Sequence, residues 1–167
     1  MRMKTAILGS VFLLAIPLAA PAAESDLYGT WKMVSQSQKL IDTGEIRAGR
    51  GKSPNGYLSF GQDGRLMGFI LSEKRPKPES VAKMTDQQRI ELFNTMNAFA
   101  GTYKLEGNKL TYFFEVTHNE VPARASVREI KFEGRRITMV NEPGRAVADG
   151  KMVQTTTVWE KVQAPAK

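Results

Sequence analysis

Residues 103–110 read YKLEGNKL, two short runs of alternating apolar and polar residues on either side of Gly107-Asn108. Glycine and asparagine tolerate the positive φ that tight hairpin turns require. The same design recurs at residues 58–66 and 130–137, each with glycine in the turn. Three such hairpins in a chain of 167 residues predict an antiparallel all-β protein.

Alternating or apolar runs of this kind extend through most of the chain. The predicted strands cover residues 28–40, 56–60, 65–71, 101–105, 109–117, 123–132, 136–141 and 151–161, with a further short strand at 45–48. Strands need a way to hide their edges, and closure into a barrel removes the edges altogether. We therefore predict an up-and-down β-barrel of about eight or nine strands, whose interior side chains either fill it or leave room for one small ligand.

One helix is predicted between the third and fourth predicted strands, at residues 65–71 and 101–105. Thr85 and Gln88 have the spacing of a capping box, and Ile90, Phe93 and Met96 form an apolar stripe. The pattern predicts a helix that ends near residue 101 and covers one mouth of the barrel.

Residue parity predicts which side chains share a face of each strand. One bulge inverts the parity of everything that follows it in a strand. Without bulges, the following groups each share a face: Leu110, Tyr112, Phe114 and Val116; Trp31 and Met33; Ile137 and Met139; Val153, Thr155, Thr157 and Trp159; Arg128, Ile130 and Phe132. Glu115 is predicted on the exterior.

The first 23 residues have the pattern of a secretory signal peptide. Arg2 and Lys4 precede an apolar run over residues 5–20 and a small-residue exit at residues 21–23. We predict a signal peptide at 1–23, one domain at 24–162 and a disordered tail at 163–167. The mature protein is then periplasmic or secreted from a bacterium, without a transmembrane segment.

Composition excludes several classes of function. The chain has no cysteine and one histidine, which removes disulfides, thiol catalysis and thiolate or histidine-rich metal sites. We predict no metal and no cofactor. Without Arg2 and Lys4, 22 basic residues face 17 acidic ones, a net charge of +5. The basic residues are dispersed in turns without aromatic platforms, which argues against nucleic-acid binding and leaves peripheral contact with anionic lipid as an alternative.

Several short motifs are similar in content and order to those of the bacterial lipocalin-like domain family. They are Gly29-Thr30-Trp31, Gly56-Tyr57-Leu58-Ser59-Phe60, Asp63-Gly64-Arg65-Leu66-Met67, Ala100-Gly101-Thr102-Tyr103, Val127-Arg128, Phe132-Glu133-Gly134, Arg136-Ile137-Thr138 and Val158-Trp159-Glu160. The resemblance implies a β-barrel that binds a small apolar molecule. It departs at residues 112–114, Tyr-Phe-Phe, where many relatives carry histidines.

Seven residues are candidates for lining a ligand cavity: Trp31, Met33, Tyr57, Tyr103, Tyr112, Phe114 and Arg128. For the aromatic residues the alternative is plain core packing, and Trp31 is expected to close one barrel end. Arg128 has three possible roles, which are stacking on Trp31, stacking on Trp159, or pairing with a ligand carboxylate.

We therefore predict an exported carrier of a small hydrophobic molecule, held non-covalently, with Arg128 and Tyr112 as the polar contacts. Two alternatives stay open. One is a barrel enzyme that guides cyclisation or isomerisation, with His118 as a possible base. The other is an exported protein-binding barrel such as a protease inhibitor. No Gly-X-Ser-X-Gly elbow accompanies His118, so no catalytic residue is assigned.

Overall fold

The computed structural model describes residues 23–120 and 125–163. The predicted signal peptide, apart from Ala23, and residues 164–167 of the predicted tail lie outside the described residues. The strands are β1 (Gly29–Leu40), β2 (Ile46–Ala48), β3 (Asn55–Phe60), β4 (Arg65–Leu71), β5 (Met96–Glu106), β6 (Lys109–Thr117), β7 (Ser126–Glu133), β8 (Arg136–Asn141), β9 (Gly144–Arg145) and β10 (Met152–Lys161). The helices are α1 (Glu24–Leu27) and α2 (Asp86–Asn94), with a 3-10 turn at Val81–Lys83.

The sheet closes on itself through the first and last long strands. From β3 to β8 each strand pairs antiparallel with the next, and β10 follows β8. β1 pairs with β3 on one side and with β10 on the other, from Trp31 opposite Lys161 to Leu40 opposite Val153. The described residues thus form a barrel of eight strands, while β2 extends the ladder on β1 and β9 the ladder on β10. The predicted up-and-down β-barrel is confirmed.

The predicted helix is shorter than expected. Thr85 and Gln88 form the predicted capping box, since the Gln88 backbone N–H donates to Thr85 Oγ1 and the Thr85 N–H donates to Gln88 Oε1. The helix nevertheless ends at Asn94 and not near residue 101, because residues 96–102 pair with β4. In residues 96–102 the continuous hydrogen-bonded ladder with β4 overrides the apolar helical pattern, which had included Met96.

The helix that closes one barrel end is α1. Leu27 is fully buried in the core, and its carbonyl accepts a hydrogen bond of 2.7 Å from Trp31 Nε1. The apolar stripe of α2 is not buried against the barrel, since Ile90 and Phe93 stay exposed. We call the two ends of the barrel the α1 end and the α2 end. Neither α1 nor α2 is long and apolar enough to cross a membrane.

Two bulges reset the parity of the strands. Val116 pairs with Ala100 but Phe114 pairs with Gly101, so β6 carries one extra residue at Glu115. Val116, predicted to share the face of Tyr112, is consequently on the outside and 61% exposed. In β1 the register shifts between Met33 and Ser35. Glu115 lies outside as predicted and pairs with Arg65 at 3.0 Å.

Side chains fill the half of the barrel next to α1. The parity predictions for the other strands are confirmed by burial, and the inward residues form one apolar cluster. The cluster extends beyond this half, and its buried members are Leu27, Trp31, Met33, Leu58, Phe60, Leu66, Ile70, Tyr103, Leu110, Tyr112, Ile130, Ile137, Met139 and Trp159.

Gly101 sits where the β6 bulge brings two backbones together. A Cβ on Gly101 would overlap the carbonyl oxygen of Phe113, whereas a Cβ on Gly144 would meet nothing within 4 Å. We predict that Gly101→Ala lowers the free energy of unfolding by roughly 1–3 kcal/mol, the usual range for overpacking. The matched Gly144→Ala changes it by less than about 0.5 kcal/mol. Urea denaturation measures both, and equal effects would contradict the bulge geometry.

An ion pair ties β2 to the turn before β10. Arg47 Nη1 lies 2.6 Å from Asp149 Oδ2, and this hydrogen bond lowers the pKa of Asp149 to about 2. Because the pKa is depressed in the folded state, the stabilisation is present above the ordinary aspartate value and is lost as the pH falls toward 2.

We predict that Asp149→Asn destabilises the protein at pH 6 more than at pH 2.5, as measured by urea denaturation at both pH values. In an Arg47→Met background, the difference between the two pH values is smaller, because only the backbone N–H and the charge of Lys151 still lower the pKa of Asp149. A loss that is independent of pH in the wild-type background would contradict the assignment.

Candidate functional site

The half of the barrel toward α2 contains an interior cavity of about 210 Å³. The apolar part of its wall is formed by Leu58, Ile70, Phe99, Tyr112, Phe114, Met139 and Trp159, and the polar part by Gln36, Asn97, Ser126, Arg128, Asn141, Thr155 and Thr157.

Arg128 and Tyr112 form the centre of the cavity wall. They lie on neighbouring strands, where Tyr112 pairs with Ser126 and Leu110 pairs with Arg128. The guanidinium carbon of Arg128 is 3.5 Å from the centre of the Tyr112 ring, which is a close cation–π contact. The stack forms because both side chains point into the barrel, and Tyr112 comes before the β6 bulge.

Arg128 is a buried cation with neutral partners. Arg128 is only 8% exposed. Its Nε donates a hydrogen bond of 3.4 Å to Asn141 Oδ1, and its Nη2 donates one of 3.1 Å to Ser126 Oγ. No carboxylate of the described residues forms an ion pair with it. Burial lowers the pKa of Arg128, as expected for a charge removed from water without an anionic neighbour.

Tyr112 stays protonated at neutral pH. Burial raises its pKa to about 12, an effect that the Arg128 charge opposes. The hydroxyl donates to Met139 Sδ at 3.5 Å, a weak bond for a phenol. At neutral pH, Tyr112 and Arg128 therefore supply the cavity wall with hydrogen-bond donors and one positive charge.

Two buried N–H groups at this cavity have no acceptor within the described part of the chain. They are Nη1 of Arg128 and the indole Nε1 of Trp159, a residue that is 3% exposed. Most buried donors in folded proteins have a partner, so two unpaired donors in one cavity require an explanation.

Comparison with known proteins assigns a family. Residues 28–162 match the sequence profile of the lipocalin-like domain. The chain belongs to the lipocalin-like domain family. No curated protein sequence matches it.

Two solved structures are similar to this chain at low sequence identity. The crystal structure of a lipocalin-like protein from Bacteroides uniformis is 14% identical, with a TM-score of 0.42 over 82% of this chain and 99% of that one. The REP1-NXSQ fatty acid transporter is 10% identical, with a TM-score of 0.39 over 84% of this chain and 98% of that one.

The lipocalin-like barrel brings three of the seven predicted site residues to the cavity, namely Tyr112, Phe114 and Arg128. Trp31, Met33 and Tyr103 are instead packed in the filled half next to α1. The Tyr103 hydroxyl donates to the Gly61 carbonyl at 2.8 Å, and burial raises the pKa of Tyr103 to about 12.

Tyr57 does not reach the cavity. It alternates with the buried Gly56 and Leu58 and is therefore on the outer face, 46% exposed. There it borders a surface groove with Met67 and Phe69.

Arg128 stacks on neither tryptophan. The cation near the Trp31 ring is Lys161, whose Nζ lies 5.3 Å from the ring centre and also donates to the Asp26 carbonyl. Arg128 is in the cavity half and stacks on Tyr112, because its strand pairs with β6 and not with β1.

Sequence reasoning missed most of the polar wall. Gln36 follows the β1 bulge, so simple parity places it outside, and Asn97 and Phe99 fall in the segment predicted as helix. Ser126 and Asn141 were recoverable, because they continue the inward parity of Arg128 and Met139.

His118 is not part of the cavity wall. Its Nδ1 accepts a hydrogen bond of 3.4 Å from the Ala98 backbone N–H, and its ring lies 5.1 Å from the Phe93 ring. It borders the same outer groove as Tyr57.

Replacing Arg128 separates a structural role from a ligand-binding one. A buried charge without a counter-ion is costly, and methionine has a similar shape without the charge. We predict that Arg128→Met leaves the free energy of unfolding within about 1 kcal/mol of the wild type or raises it. Urea denaturation without added ligand measures the free energy of unfolding. A large decrease in the variant would show that Arg128 stabilises the barrel.

Proposed function

We propose that this protein binds a small, largely apolar molecule non-covalently inside its barrel. The supporting observation is the interior cavity of about 210 Å³, whose wall combines seven apolar side chains, four of them aromatic, with seven polar ones. That combination is typical of small-molecule sites, in which apolar walls supply affinity and a few polar groups supply orientation.

The driving force is removal of apolar ligand surface from water. It contributes about 25 cal/mol per Å² of apolar area, or about 0.8 kcal/mol for each CH₂ group. At about 210 Å³ the cavity is smaller than the roughly 300–1,000 Å³ of most ligand pockets, so the ligand that fits inside it is a short molecule.

Binding without catalysis is the simplest use of this cavity. Arg128 and Tyr112 are the ionisable side chains of the described wall. A tyrosine with a pKa of about 12 and a buried guanidinium both keep their protons at neutral pH, so neither is a general base there.

The proposed setting is outside the cytoplasm, in the periplasm or the medium. Its support is the signal-peptide pattern at residues 1–23, with two basic residues before an apolar run. Native mass spectrometry of protein taken from its own exported fraction tests setting and cargo together. A protein that stays in the cytoplasm with its first 23 residues attached would contradict the export proposal.

Chain length of a neutral probe tests the cavity itself. For straight-chain alcohols from butanol upward, we predict that affinity rises about fourfold for each added CH₂. The gain then levels off once the cavity is full, because further carbons remain in water. NMR titration of the ¹⁵N-labelled protein measures the series.

A matched pair of variants on β10 locates the binding. Thr155 lines the cavity, whereas its neighbour Thr156 does not. We predict that Thr155→Phe fills the cavity and abolishes alcohol binding, while Thr156→Phe binds as the wild type does. Equal binding by the two variants would place the ligand elsewhere and contradict the proposed function.

A further inference from the structure

The interior of the barrel has a positive charge that no carboxylate among the described residues pairs with. Arg128 is buried, and its partners among the described residues are a serine hydroxyl, an asparagine oxygen and the face of a tyrosine, all of them neutral. Buried charges are ordinarily paired, because an isolated ion loses more hydration free energy on burial than its contacts with neutral groups restore.

The unpaired hydrogen-bonding capacity points in the same direction. Arg128 Nε and Nη2 are each occupied by one partner, while Nη1 has none among the described residues. Trp159 Nε1 is likewise unpaired, and Trp159 is part of the wall of the same cavity. Both groups can only donate, so whatever satisfies them must be an acceptor.

We propose that the molecule bound in the cavity is a carboxylate, held by Arg128 Nη1 and Trp159 Nε1 with its apolar part against the aromatic wall. This inference rests on the proposed function and names its ligand class. A carboxylate has two acceptor oxygens for the two unpaired donors, and its charge neutralises the guanidinium. A neutral alcohol satisfies a donor but leaves the charge unbalanced.

The aromatic wall restricts what accompanies the carboxylate. Tyr112 covers one face of the guanidinium at 3.5 Å, and Phe99 and Phe114 lie edge to face beyond it, with ring centres 5.2 Å apart. The polar end is thus fixed at Arg128 and the rest of the ligand contacts aromatic carbon. This favours a short aliphatic or aromatic monoacid over a polyanion, for which the described wall offers no second cation.

The test compares three probes of equal chain length: hexanoate, hexanamide and hexan-1-ol. We expect hexanoate to bind roughly ten- to a hundredfold more tightly than hexan-1-ol, the range for a hydrogen bond to a charged partner. We expect hexanamide to lie near the alcohol, because it has the shape of the acid but no charge. Titrations at pH 7 followed by ¹⁵N NMR give the three dissociation constants.

The two tryptophans supply a built-in control for position. Hexanoate is expected to move the indole N–H resonance of Trp159, which lines the cavity, and to leave that of Trp31 in place. Trp31 Nε1 already donates to the Leu27 carbonyl in the filled half of the barrel. Trp159→Phe assigns the two resonances.

Variants of the arginine complete the design. Arg128→Met is expected to remove the preference for hexanoate while hexan-1-ol still binds. Arg128→Lys keeps the charge and the direction of the preference. Arg136→Met, which removes an exposed arginine paired with Glu160, is expected to leave all three constants unchanged. The wild-type comparison among probes stands even where a variant fails to fold.

The outcomes separate the two proposals. If hexan-1-ol binds in the cavity and hexanoate binds no better, the carboxylate inference is overturned and the proposed function survives. If hexanoate binds equally well to the Thr155→Phe variant, its site is outside the barrel and the inference is overturned as well. If no probe binds the wild type, the proposed function fails and the inference falls with it.

Discussion

The ladder between β1 and β10 is the constraint that organises this protein. It joins the first long strand to the last, from Trp31 opposite Lys161 to Leu40 opposite Val153, and leaves the eight barrel strands of the described residues without a free edge along it. Once the sheet is closed, every inward side chain shares one interior. Large residues fill that interior next to α1, where Trp31 bonds to the Leu27 carbonyl, and smaller polar residues leave a cavity toward α2.

The sequence alone predicted the barrel because its signals are local. Turn glycines, alternation and the capping box at Thr85 each depend on neighbours a few residues away, and all were found in the structure. The two bulges are different, since an extra residue in β6 is defined by its partner strand and not by its own sequence. Val116 was consequently placed inside and Gln36 was missed.

The same distinction explains which of the seven predicted residues lie at the cavity. Tyr112, Phe114 and Arg128 lie on parts of their strands where no bulge changes the face that parity predicts. Parity therefore placed all three on the inside correctly. Trp31, Met33 and Tyr103 were also placed inside correctly, but parity carries no information on which half of a barrel is full. Asn97 and Phe99 were hidden by a helical pattern that only pairing with β4 overrides.

The polar contents of the cavity give the barrel its chemical character. A fully apolar interior would need no arginine, and an arginine kept for structure would be expected to have a carboxylate beside it. Arg128 has aromatic and neutral polar neighbours, and the other unpaired buried side-chain group among the described residues of this cavity wall is also a donor, the indole of Trp159. We infer that the interior is built for a ligand that supplies the missing acceptor and the missing negative charge.

A crystal structure with a heavy-atom-labelled acid tests this account most directly. In crystals soaked with 6-bromohexanoate, the account predicts a carboxylate density between Arg128 Nη1 and Trp159 Nε1, and an anomalous bromine peak inside the barrel or at its α2 end. A bromine peak only in the outer groove beside Tyr57 and Met67, with the interior occupied by water alone, would contradict it.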